Sequence, residues 1–131
     1  MMEEQVLMLS QYRLALEQWI MELPAGTREP GEEWLLCARR ELREETGYQA
    51  ESWRSLGQVW PAPGLSNELM AIYLASDLSE APLPPDPDEE IEVRPYPLDE
   101  LVAMALDGRL QDAKSVVGIL RAVAALKNNG E

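Results

Sequence analysis

Residues 24–48 read PAGTREPGEEWLLCARRELREETGY, and the stretch changes character at Gly31. Up to that point it holds two prolines and two glycines, a composition that neither a helix interior nor a central strand accommodates. Beyond it, EEWLLCARRELREET has the length and composition of a helix. Glu32 and Glu33 suit the positive N-terminal end, and Gly47 stands where a left-handed cap ends the helix. Trp19 to Leu23 reads as a strand stopped by Pro24, so the unit is strand, constrained loop, helix.

On that helix Glu41, Glu44 and Glu45 fall within an arc of about 100°. They occupy the last turns, where the helix dipole is negative and carboxylates are disfavoured. Such a cluster calls for a cation. Oxygen donors with room for water select Mg2+ or Mn2+ over zinc. Taken alone, the same residues also fit a solvated helix in which Arg40 and Glu44 form an i,i+4 pair of about 0.3 kcal/mol.

The wider spacing separates these two readings. Gly26, five residues, Glu32, seven residues and then Arg40-Glu41-Leu42-Arg43-Glu44-Glu45-Thr46-Gly47-Tyr48 resembles the Nudix box, with Tyr48 in place of the usual aliphatic residue. The resemblance implies an α/β fold, an α/β/α sandwich around a mixed β-sheet. It also implies a hydrolase that uses divalent metal to cleave nucleoside diphosphate derivatives by attack of water on phosphorus. By the same resemblance, Glu41 and Glu45 ligate the metal, Glu44 is a further ligand or water-organising carboxylate, and the carbonyl of Ala25 is another ligand. Arg40 holds the glutamates and Glu32 ties the loop to the helix.

QYR at 11–13, ELPAG at 22–26 and RLQDAKS at 109–115 are similar to the ADP-ribose pyrophosphatase branch, as is Pro63, fifteen positions past Tyr48. The branch implies ADP-ribose or a related nucleoside diphosphate sugar as substrate. It also implies a general base in the late acidic loop, at Glu89 or Glu90. Arg13, Ser66 and Glu68 are candidate substrate contacts, and Pro63 reads equally as turn chemistry. Other nucleotides, such as dinucleoside polyphosphates or damaged nucleoside triphosphates, stay open as substrates. So does a non-catalytic ADP-ribose sensor. Relatives in the branch carry a longer N-terminal portion that supplies aromatic residues to the adenine, so a different adenine contact is expected here. Trp19 and Trp60 are candidates for it or for the core.

The rest of the chain is consistent with one domain over residues 1–131. Val6 to Leu9, Trp53 to Trp60, Leu69 to Ala75 and the alternating Ile91 and Val93 read as strands. Tyr12 and Arg13 fall in a connection, and PAPGLSNE is a turn. Leu98 to Leu106 and a longer segment marked by Val116 to Leu126 read as helices, while Trp34 and Cys37 are read as core. A net charge of -13 argues against nucleic acid as a partner, and the absence of histidine removes Ser-His-Asp catalysis and histidine-rich zinc sites. No apolar run is long enough for a membrane helix. A single cysteine and the absence of a basic leader fit the cytoplasm. A homodimer is expected, on the premise that the strand at Val6 to Leu9 lies near a sheet edge.

Overall fold

The computed structural model describes residues 4–26, 28–83 and 91–127. In chain order the elements are β1 (Gln5–Arg13), β2 (Gln18–Glu22), α1 (Trp34–Thr46), β3 (Tyr48–Val59), β4 (Met70–Glu80), β5 (Ile91–Pro97), α2 (Leu98–Asp107) and α3 (Ala113–Lys127). The expected α/β architecture is present. Every described ladder is antiparallel: β2-β1-β5 form one sheet and β3-β4 another.

Two expectations about the first sheet are corrected. Tyr12 and Arg13 are not in the connection but end β1, opposite Trp19 and Gln18, and the turn follows at 14–17 with Glu17 at φ 53°. More consequentially, β1 is no edge strand. It is the middle strand, paired with β2 along Leu9–Arg13 and with β5 along Gln5–Gln11. Met8 and Leu9 are each 1% exposed although neighbours on a strand face opposite ways, as expected of a strand covered on both faces. The uncovered-edge premise for a dimer is thereby removed.

Met8 packs with Leu98, Leu101, Leu110 and Ile119, which joins the central strand to α2 and α3 in one apolar cluster. α1 lies against β3, whereas α3 reaches both β3 and β4. Gly118 on α3 faces Leu23: a Cβ there would come within 2.6 Å of the leucine Cδ1, so a larger residue would require the Leu23 side chain to move. The β3-β4 ladder is offset between Ser55 and Gln58, where Gly57 at φ 91° supplies the backbone shape of the irregularity. β3 begins at Tyr48, earlier than its aromatic run indicated, because the chain enters the sheet directly from the Gly47 cap.

Trp19 and Trp60 are 49% and 55% exposed, so neither belongs to the core; Trp19 meets Tyr12 edge-on at 5.9 Å between ring centres. Cys37 is buried, as expected. Among the described residues no helix is long and apolar enough to cross a membrane.

Candidate active site

The carboxylate helix is stopped where the sequence places its cap: Gly47 sits at φ 75° and its N–H donates to the carbonyl of Arg43. Its start differs from expectation. Helical geometry begins at Trp34, with Glu33 extended at the N-cap, so Glu32 and Glu33 do not decorate the first turn. Glu32 is turned instead to the arginine one face along the helix.

That arginine, Arg40, organises the site. Its Nε and Nη2 donate to the two oxygens of Glu32 at 2.9 and 3.0 Å, a forked pair that fixes the guanidinium plane. Nη1 then reaches Glu41 at 2.8 Å and Glu44 at 2.9 Å. The hydrogen bonds from Arg40, joined by the backbone N–H of Glu29, hold the Glu32 carboxyl down at about 2. Arg40 itself is raised by the same pairing.

Glu41 is pulled the other way. Burial, first, and repulsion from Glu44 push its pKa up against the pull of Arg40, so its charge is under-compensated. It lies directly over Gly26, where a Cβ would overlap its carboxyl group, so the glycine of the loop is the space in which this carboxylate sits. Glu45 faces the same loop and accepts the N–H of Ala25 at 2.7 Å. Loop and helix are thus joined at two successive residues, Ala25 and Gly26.

The donors Glu41, Glu44, Glu45 and the Ala25 carbonyl are all hard oxygens, and burial, more than repulsion from Glu44, raises the pKa of Glu41, so the chemistry of the donor set is what fits a hard divalent cation. Among the described residues no three acidic or cysteine side chains are close enough together to hold an ion as they stand. Two of these carboxylates are bound to Arg40 and the third to a backbone amide, each of which supplies part of the positive charge a cation would bring.

The site opens on a cleft of about 740 Å³, within the range of small-molecule pockets. Ala25, Gly26 and Glu41 line it, together with Arg28, Trp34, Trp53, Tyr73 and Asn67. Of the proposed substrate contacts, Glu68 lines the cleft. Pro63 and Ser66 are exposed on the turn before it, where the Ser66 hydroxyl accepts the N–H of Glu68 at 3.0 Å. Glu89 and Glu90 lie outside the described residues.

Arg13 is held in a pair that sequence reasoning missed. Its Nε and Nη2 both meet Glu22 at 2.6 Å, and Glu22 is only 1% exposed. Lys114 at the start of α3 donates to Glu22 at 2.6 Å and to Asp112 at 2.8 Å. The buried hydroxyl of Ser115 donates to Asp112 and accepts the N–H of Leu23 at 2.8 Å. Burial works to raise the pKa of Glu22, yet the bonds from Arg13 and Lys114 outweigh it and keep the carboxylate charged. The network pins the end of β2, and with it the approach to Ala25. Its members fall in the three segments QYR, ELPAG and RLQDAKS that resemble the branch, a likeness that gives no sign that they meet one another.

Hard oxygen donors clustered on one helix, with Glu41 lining a cleft wide enough for a nucleotide, are equipment suited to hydrolases that break phosphoanhydrides with a divalent cation. Comparison with known proteins narrows this class. Residues 1–117 match the NUDIX domain, and the chain belongs to the Nudix family. It is 37% identical over 130 residues to the methanol dehydrogenase activator of Bacillus methanolicus, a match covering 96% of this chain and 70% of that protein. To the ADP-ribose pyrophosphatase of Bacillus subtilis it is 36% identical, covering 89% of this chain and 64% of the relative. For the ADP-ribose pyrophosphatase of Mycobacterium tuberculosis the figures are 38%, 86% and 56%. The chain therefore spans between about half and two thirds of the length of these two pyrophosphatases. The crystal structure of an ADP compounds hydrolase superposes with a TM-score of 0.87 at 25% identity, covering 99% of this chain and 70% of the other.

Proposed function

We propose that this chain hydrolyses the diphosphate of ADP-ribose, or of a related nucleoside diphosphate sugar, to AMP and a sugar phosphate in the presence of Mg2+ or Mn2+. The observation that carries the reading is the double junction of loop and helix, Glu41 over Gly26 and Glu45 on Ala25, opening on the cleft. Likeness to two ADP-ribose pyrophosphatases supports the substrate class.

In this reading Glu41, Glu44, Glu45 and the Ala25 carbonyl hold the cation. When bound, it neutralises the diphosphate, polarises phosphorus and acidifies a water. Arg40 keeps Glu41 and Glu44 in place, Glu32 fixes Arg40, and Glu89 or Glu90 takes the proton from the attacking water. The cytoplasm is the proposed location, consistent with the unpaired Cys37. A homodimer also belongs to this reading; its support is now the edge strand β2 and the exposed Trp19, not β1.

A turnover panel with Mg2+ tests the function. ADP-ribose is expected to show a higher kcat/KM than GDP-mannose, diadenosine polyphosphates or deoxynucleoside triphosphates. A triphosphate preferred by about tenfold or more would overturn the substrate class, and binding of ADP-ribose without turnover of any nucleotide would favour a sensor.

A variant addresses the junction itself. Gly26→Ala places a methyl where the Glu41 carboxylate sits, so kcat at saturating Mg2+ is expected to fall by about a hundredfold, the usual cost of misplacing an essential group by about 1 Å. Near wild-type turnover would show that Glu41 is not needed over Gly26.

A further inference from the structure

The cleft is poor in available positive charge for a site that receives a diphosphate. The basic residues in its described lining are Arg28 and Lys114, against the acidic Glu4, Glu41, Glu68 and Asp77. Lys114 is already held by Glu22 and Asp112 at 2.6 and 2.8 Å. Arg28 makes no ion pair among the described residues; its guanidinium carbon lies 4.0 Å from the centre of the Trp34 ring.

Arg28 is exposed and lines the cleft, so it stands on the rim. It follows Gly26, the residue beneath the Glu41 carboxylate, by two positions, no more than about 7 Å of chain. Stacking on Trp34 restricts the long side chain while leaving the edge of its planar fork open for phosphate oxygens. Trp34 is in the first turn of α1, so the platform beneath the arginine belongs to the helix that carries the carboxylates.

We propose that Arg28, stacked on Trp34 at the rim of the cleft, is the substrate-contacting cation that meets the phosphate oxygens of the nucleoside diphosphate. This rests on the reading of the cleft as a diphosphate site. Trp34 is its positioning residue. The arginine acts on affinity, since it is placed before substrate arrives and offers no group for proton transfer.

Steady-state kinetics on Arg28→Ala, Arg28→Lys and Trp34→Leu test this. They use whichever nucleoside diphosphate derivative the wild type turns over best, so a wrong substrate class fails in the panel and leaves this test intact. Arg28→Ala is expected to raise KM about tenfold with kcat within about threefold. Arg28→Lys keeps the charge but loses the stacked fork, and Trp34→Leu loses the platform, so each should raise KM by roughly threefold. Calorimetric titration with the non-hydrolysable α,β-methylene analogue of ADP-ribose should show a matching loss of affinity for Arg28→Ala. Its dependence on NaCl should be shallower than that of wild type. Arg39→Ala is the control, because Arg39 is stacked 5.8 Å over Trp53 but is outside the cleft lining; its KM should not change. Arg28→Ala with KM and analogue affinity within about twofold of wild type, or with loss confined to kcat, would overturn the assignment.

Discussion

Glu45→Gln and Glu41→Gln are each expected to lower turnover by at least about a hundredfold while leaving the thermal midpoint nearly unchanged, because each removes a negative charge and preserves shape. The geometry makes Glu45→Gln the cleaner experiment. Its Oε1 accepts the Ala25 N–H at 2.7 Å, and a glutamine oxygen accepts the same bond, so the loop keeps this tether while the charge is lost. In Glu41→Gln, Arg40 loses a charged partner but retains the fork to Glu32 and its contact with Glu44. Measured at saturating Mg2+, retention of near wild-type turnover by either variant removes that residue from the proposed metal site. Equal loss of activity and folding would instead assign it to the scaffold.

The second large effect is on stability. Glu22→Gln takes the charge from a fully buried carboxylate that two cations share. Breaking a buried ion pair by changing one partner costs about 3–5 kcal/mol, and here the lower end, about 3 kcal/mol, is expected. Arg13 is 45% exposed in its side chain and regains water, while Lys114 keeps Asp112. Arg13→Ala should cost less, since the buried carboxylate retains Lys114. Urea unfolding of both variants checks the order. A Glu22→Gln loss below about 1 kcal/mol, the range of an exposed pair, would show that burial does not make this network matter.

The contrast between Glu45 and Glu22 explains what was legible in the sequence. Glu45, Arg40, Gly47 and Gly26 belong to a unit whose partners lie within twenty residues of one another, so spacing, helix period and cap chemistry suffice to assemble it. Glu22 reads locally as one polar position at the end of a strand. Its partners lie nine and ninety-two residues away, and only the folded chain brings Lys114, at the start of α3, to it and Ser115 to the neighbouring Leu23. The same reasoning applies to β1. Its apolar residues announced a strand, but no local pattern states whether β5 will pair with its other side. Glu32 shows both outcomes: read from its place near a helix start it is a dipole partner, which the structure corrects, whereas the tie between loop and helix implied by the box resemblance matches its forked bond from Arg40, the stronger attraction. Trp19 and Trp60 were legible only as large apolar residues, which is not enough to tell surface from core.

The central place of β1 also governs the order in which the molecule can assemble. β1 and β2 are joined by a short turn and can pair as soon as both have been synthesised, but the other flank of β1 is filled by a strand in which Pro97 stands opposite Gln5. On a ribosome the first strand must therefore wait, half-paired, through synthesis of the entire carboxylate helix and the β3-β4 hairpin. Its apolar Met8 is then shielded only when α2 and α3 follow. Long-range closure of this kind slows folding and prolongs exposure of unpaired backbone. The nascent chain thus presents its catalytic loop and helix before it has the interior that will hold them still.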